Sequence, residues 1–439
     1  MRTDRARGWI CAALISLLAV VVAFPGILFG QSSATPATNA PAAQNATAPP
    51  APAGGPAQSA PPTTAYILFD DKGNVAQIPF EFSGNEILMP IHINRLQPSP
   101  FIVDSRENSS AVDTERAAEL HLIDPPPAGA PGDTKIPGPA LRLPGLQLVP
   151  QSLMVTSLHG ISAQAGRPIQ GRVGTDILNL FVVELNYDRT TMQLHDAASY
   201  QYDGKGTVLP LTYVDGLPTV RINASVPGRK RGEQAFVVDT GFTGSVLFWK
   251  HAGPKNQQPY SHLKPRPSSI PTPDGSGPST LQARIRMLKI ASFSFEKPVA
   301  DFSLSDSGVP SHPEIVGAIG NEMLRRFVVI FDVPHHRLIL EPSRTLIQST
   351  EADMSGMSLI GEGPSERTIR VVSVQEHSPA RQAGVQKGDV IVGVETQPAI
   401  ELRLGEVRNL LMQPIRQCRF TLDRNGKTIE VKFVTRRLL

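Results

Sequence analysis

Two short segments carry the residues best suited to chemistry. Pro100-Phe-Ile-Val-Asp104-Ser105-Arg106 and Ala235-Phe-Val-Val-Asp239-Thr240-Gly241 each run from an apolar stretch into an Asp followed by a hydroxyl residue. Two carboxylates held about 3 Å apart cannot both ionise, so they share a proton. Such a pair divides general-acid and general-base work between two identical groups. Other chemistries find little purchase. The chain has no His-Glu-x-x-His, no Gly-x-Ser-x-Gly and no phosphate-binding glycine loop. Its cysteines are Cys11 and Cys418, which excludes a disulfide framework and a Cys-based zinc site. His335-His336 has no acidic residues at metal-ligand spacing, so neither metal nor cofactor is expected. Lys+Arg 42 against Asp+Glu 39 leaves +3, too balanced for a nucleic-acid partner.

The two Asp segments belong to a longer repeat. Gly174-Thr-Asp-Ile-Leu-Asn-Leu-Phe-Val-Val runs parallel to Gly320-Asn-Glu-Met-Leu-Arg-Arg-Phe-Val-Val. The Asp landmarks lie 135 residues apart and the Gly landmarks 146, so the second copy has about eleven extra residues, expected in the Pro-rich stretch 250–279. A period near 140 is a duplicated domain, not a solenoid. Residues 87–94, 100–104, 181–187 and 191–194 read as strands in the first copy. Residues 220–224, 235–239, 327–333 and 337–340 read as strands in the second. One or two helical turns fit after each landmark glycine. The fold class expected is mostly β: two duplicated barrel-like lobes, 65–203 and 204–345, with one short helix each.

Asp239-Thr240-Gly241, followed by Ala318-Ile319-Gly320, resembles the aspartic peptidases, in which each of two lobes contributes an Asp from an Asp-Thr/Ser-Gly loop. The resemblance covers residues 65–345. It implies Asp104 and Asp239 as the catalytic pair, with the hydroxyls of Ser105 and Thr240 bracing the loops and Gly241 letting its backbone N–H reach a carboxylate. Lobe 1 departs from the pattern. Arg106 stands at the glycine position, where its side chain lacks room and its cation favours ionised carboxylates. Arg172 stands where an apolar residue normally precedes Val173-Gly174. Residues 271–279, with Asp274, Gly275 and Gly277, and residues 129–138 are flap candidates, hairpins that would cover bound substrate.

The C-terminal stretch, 355–439, carries a different pattern. Ser378-Pro-Ala-Arg-Gln-Ala-Gly-Val-Gln-Lys-Gly-Asp-Val-Ile391 resembles bacterial PDZ domains, which implies an α+β module that adds an extended peptide or a peptide C-terminus to a strand edge. By that resemblance the receiving segment is Gly356, Met357, Ser358, Leu359 and Ile360. At the other end, Arg2, Arg5 and Arg7 precede an uncharged apolar stretch within 1–30, read as a signal peptide or membrane anchor. Residues 31–64 contain no charge and read as a disordered Ala/Pro-rich linker. The expectation is an exported chain, periplasmic or membrane-anchored on the extracytoplasmic side. It would hydrolyse peptide bonds of polypeptides by an aspartic dyad. The alternative expectation is a decayed relative that binds peptides without cleaving them.

Overall fold

The computed structural model describes residues 66–70, 73–125, 132–227, 232–252, 262–305 and 312–439. The stretches read as signal or anchor (1–30) and linker (31–64) lie outside the described residues, as do residues 129–131 of the first flap candidate. Among the described residues, no helix is long and apolar enough to cross a membrane.

The repeat seen in the sequence is a repeat of topology. Each copy builds a curled ten-stranded sheet, and eight strands of its path follow the same order in both. In both, the strand that ends at the Asp lies parallel to the strand that ends at the landmark glycine. Ser99–Val103 pairs with Gly171–Val173 in lobe 1, and Glu233–Val238 pairs with Ile315–Ile319 in lobe 2. The strand after the Asp loop is likewise parallel to a later one, Ala111–Asp113 to Ser152–Thr156 and Val246–Phe248 to Val299–Ser303. These parallel pairings cross an otherwise antiparallel sheet and thread each Asp loop through the middle of its lobe.

A six-stranded sheet joins the lobes. At its centre Phe181–Asn186 and Phe327–Asp332, equivalent strands of the two copies, pair antiparallel in the register Val183↔Phe331 to Asn186↔Val328. One apolar core runs through both lobes and includes the fully buried Phe101, Phe181, Phe236, Phe248, Phe302 and Phe327. Phe248 stacks on Phe302 at 5.4 Å and receives Phe236 edge-on at 5.6 Å, geometries worth about 1 kcal/mol each beyond burial.

The short helices expected after the landmark glycines are Thr175–Leu178 and Asn321–Leu324. Lobe 1 has two more, Thr114–Glu119 and His159–Ala165, which corrects the expectation of one helix per lobe. His159-Gly-Ile-Ser-Ala-Gln-Ala165 carries no apolar stripe, so its sequence gives no helical signal. It ends at Gly166, left-handed at φ 67°, whose N–H donates to the Ser162 carbonyl at 2.8 Å.

The C-terminal module has its own core, with Met357, Leu359, Val371, Val407 and Phe420 among its members. Its sheet runs Met357–Glu362, Thr368–Val374, Val390–Val394, Gln417–Arg424, Lys427–Val434, beside the helix Leu404–Leu411. Asn425 and Gly426, both left-handed, close the last hairpin. Met357–Glu362 is the edge strand and pairs only with Thr368–Val374. The whole is a mostly β body of two like lobes followed by an α+β module.

Candidate active site

The parallel strand pairings bring the two Asp loops face to face. Asp104 N–H donates to Val173 O at 2.9 Å, and Asp239 N–H donates to Ile319 O at 2.9 Å, the same bond in each lobe. Between the loops the hydroxyls of Ser105 and Thr240 exchange bonds reciprocally. Ser105 N–H donates to Thr240 Oγ1 (2.9 Å) and Thr240 N–H to Ser105 Oγ (3.0 Å). Each hydroxyl then donates onward into the other lobe, Ser105 Oγ to Val238 O (2.6 Å) and Thr240 Oγ1 to Val103 O (3.0 Å). Four bonds thus tie two loops 135 residues apart, and every group in them is buried.

The carboxylates sit on this brace. A Cβ at Gly241 would stand 2.4 Å from Asp104 Cγ and 2.5 Å from both its oxygens, so no side chain fits there. Asp239 Oδ1 accepts from the N–H groups of Gly241 (2.9 Å) and Phe242 (3.0 Å). Its Oδ2 is buried and has no hydrogen-bond partner. The Asp239 carboxyl is pushed up to about 6, because burial outweighs the opposing pull of the Arg106 cation and Asp104 beside it adds to the rise. A buried carboxyl with one satisfied oxygen and one that accepts no hydrogen bond, beside a second carboxylate, is equipped to hold a proton and pass it on.

Lobe 1 corrects the reading of Arg106. Its backbone N–H reaches Asp104 Oδ1 at 3.0 Å, as close as Gly241 comes to Asp239, so glycine is not needed for that approach. Its side chain finds room by turning across the loops, with Nε 3.5 Å from Asp239 Oδ2 and a third of the side chain exposed. Asp239 chiefly, then Asp104 and Glu107, hold the guanidinium charged against the effect of burial. Arg172 pairs with Glu107 at 3.2 Å, so both departures from the repeat carry charge into the same flank of the site.

Sequence reasoning missed the residues behind the Asp239 loop. Asn321, the first residue of its short helix, donates from Nδ2 to Thr240 O (2.6 Å) and to Asn85 O (2.8 Å), and accepts from the Tyr187 hydroxyl (2.9 Å). Asn85 itself donates to Thr243 O at 3.0 Å. The available signal was the repeat, which sets Asn321 opposite Thr175 immediately after the landmark glycine.

The flap candidate of lobe 2 lies elsewhere than expected. Its strands Arg266–Pro267 and Thr280–Arg284 do form a hairpin. The contacts of its tip are with the C-terminal module and lobe 1. A Cβ at Gly275 would touch Ile360 Cδ1 at 3.3 Å, and Gln164 Nε2 donates to Pro271 O at 2.7 Å. Asp274 folds back on Thr272 Oγ1 at 2.5 Å, and Thr272 N–H bonds Gly277 O at 2.8 Å. Met357 to Ile360 fall on the edge strand Met357–Glu362 of the C-terminal module, and Gly356 immediately precedes it. Among the described residues no group of three or more His, Cys, Asp or Glu is placed to hold a metal ion.

A PDZ-domain family model matches residues 370–424, and the C-terminal module is a PDZ domain. No curated protein matches the chain. Among solved structures, the chain is similar to soybean basic 7S globulin at 14% identity, covering 63% of this chain and 97% of that one with a TM-score of 0.35. It is similar to a photosystem II D1 C-terminal processing protease at 25% identity, covering 20% of this chain and 24% of that one with a TM-score of 0.19. Both TM-scores are too low for either likeness to carry weight, and the site stands on its own geometry.

Two outcomes follow from this geometry. Ser105→Ala or Thr240→Ala leaves a buried N–H and a buried carbonyl of the opposite lobe unpaired, a loss of about 1–3 kcal/mol. The double variant should lose less than the sum in denaturant unfolding, because each single change already opens the same exchange. The second outcome concerns Asp239. Its folded pKa, about 6, lies above the ordinary 3.8 of an unfolded Asp, so its stabilising effect is complete in acid and is lost as pH rises through 6. Asp239→Asn removes that dependence, so the melting temperature of the variant minus that of the wild type should grow between pH 4 and pH 7. A difference independent of pH would remove the proton from Asp239.

Proposed function

We propose that the chain hydrolyses peptide bonds of polypeptides with Asp104 and Asp239 as an aspartic dyad. The observation that carries this reading is the reciprocal Ser105–Thr240 exchange, which seats two repeat-related carboxylates side by side, one of them with a buried oxygen that accepts no hydrogen bond. Below about pH 6 the pair holds one proton, kept on the Asp239 side by burial. That proton is offered to the oxygen of the scissile carbonyl, while the other carboxylate takes a proton from the attacking water. The water oxygen bonds to the carbonyl carbon; as the C–N bond breaks, the leaving nitrogen takes a proton from one carboxyl while a hydroxyl of the tetrahedral carbon returns its proton to the other, so the dyad ends with its single proton.

PDZ domains generally bind peptide C-termini, so a peptide partner for residues 356–362 is consistent with a polypeptide substrate for the body. The basic residues ahead of the apolar N-terminal stretch support an extracytoplasmic location for the activity, periplasmic or tethered to the membrane. The Arg106–Asp239 pair favours an acid working range, because the cation holds the dyad toward its doubly ionised form.

Cleavage of an unfolded polypeptide such as reduced casein at pH 4–5 tests the dyad. Asp104→Asn and Asp239→Asn should each lower turnover by at least about a hundredfold with the fold retained. Unchanged turnover in either variant refutes its role, and peptide binding without cleavage by the wild type supports the binding-only alternative. Charge and backbone approach at residue 106 are separated by a pair of variants. Arg106→Gly and Arg106→Gln should both move the alkaline limb of the pH–rate profile upward by about one pH unit. Movement in the glycine variant alone shows that backbone freedom, not charge, governs the limb.

A further inference from the structure

The edge strand of the PDZ domain is not vacant. Val371 spends both backbone groups on the far side of its strand, donating to Asp389 O (2.9 Å) and accepting from Gly388 N–H (2.8 Å). Its antiparallel partner Leu359 therefore points its own N–H and C=O outward, to the edge where an added strand would bond. Arg408, from the helix that flanks this edge, donates to Leu359 O at 2.8 Å and with its other nitrogen to Gln164 O of lobe 1 at 2.6 Å. Two residues along the strand, a Cβ at Gly361 would stand 2.7 Å from Gly166 Cα. On the other side, a Cβ at Gly166 would stand 2.3 Å from Leu404 Cβ on the flanking helix. The C-terminal turn of the His159–Ala165 helix is wedged between the strand and the helix that form the groove.

We propose that the peptide groove of the PDZ domain is held by the chain's own Gln164–Gly166 turn, so that an extended peptide enters only by displacing lobe 1. The inference rests on reading residues 356–362 as a peptide-receiving edge and is independent of catalysis at the dyad. Displacement also frees the 266–284 hairpin, because its anchors lie on the same two surfaces. Ser358 Oγ donates to Ser268 O at 3.2 Å, Gln375 Nε2 donates to Pro267 O at 2.7 Å, and a Cβ at Gly160 would meet Pro273 Cβ at 2.6 Å.

Gly166→Asn in the full chain tests the proposal. Asparagine tolerates the left-handed cap, yet its Cβ collides with Leu404, so the helix survives and the wedge does not. Arg408→Met, which removes both carbonyl bonds at similar volume, is the second variant. The probe is a displayed library of random heptapeptides with free carboxyl ends. A groove occupied most of the time lowers apparent affinity by its vacant fraction, so both variants should retain at least about tenfold more library than the wild type. Amide exchange should quicken at 357–362, 159–166 and 266–284, while strands 417–424 and 427–434 stay protected. Equal retention by wild type and variants overturns the exclusion. Faster exchange with no retention by any form overturns the peptide-receiving edge, and unchanged exchange overturns the wedge itself.

Discussion

The exchange of hydroxyl bonds between Ser105 and Thr240 is the constraint on which the rest of the molecule depends. Each hydroxyl accepts from one loop and donates to a strand of the opposite lobe, so neither loop is complete without the other. A single lobe would leave one backbone carbonyl and one N–H of the brace without their partners from the other lobe. The six-stranded shared sheet serves the same end on a larger scale by pairing equivalent strands across the pseudo-two-fold axis. Burial of Asp239, its oxygen that accepts no hydrogen bond and its raised pKa all follow from that closure.

Within this symmetric frame the chemistry is asymmetric. Lobe 2 presents Gly241 and Ala318 where lobe 1 presents Arg106 and Arg172, so two guanidinium groups stand on one side of the carboxylates and none at the matching positions on the other. Gly241 is demanded by contact, because Asp104 fills the space of its missing side chain. Arg106 is tolerated because its backbone keeps the hydrogen bond a glycine would make, while its side chain supplies charge to Asp239. A repeat that diverges in this way keeps its brace and retunes its proton.

The duplication was legible because it left two pairs of landmarks, Asp104 with Asp239 and Gly174 with Gly320, at nearly constant spacing. Strands such as Phe181–Asn186 and Phe327–Asp332 were legible because their buried apolar residues form runs bounded by turn formers. The helix His159–Ala165 was not, since its small residues carry no stripe of their own; Ala165 and Ile161 pack beside Leu88 and Ile102 of lobe 1. The reach of Arg106 across the loops and the lodging of Gly166 beside Gly361 were equally invisible. Both are long-range placements of single residues, which composition and periodicity do not encode. Residues 271–279 were read as a flap candidate, but where the segment packs depends on a neighbouring module that the sequence pattern does not reveal.

The PDZ domain and the site are mechanically adjacent. The flanking helix sets Gly405 against the turn at Ser83 and Gly84, and the next residue, Asn85, bonds Thr243 O and receives Asn321, which holds Thr240 O. Three contacts therefore separate the groove from the brace. The central claim remains that Asp104 and Asp239 form one proton-sharing pair. Carboxyl carbon NMR with labelled aspartate, followed from pH 2 to pH 8 and assigned through Asp104→Asn and Asp239→Asn, measures this directly. A shared proton requires each resonance to respond to two steps, the upper near pH 6, and requires loss of one Asp to abolish the upper step seen at the other. Two independent single-step titrations, each unaltered when the other Asp is replaced, would contradict the account.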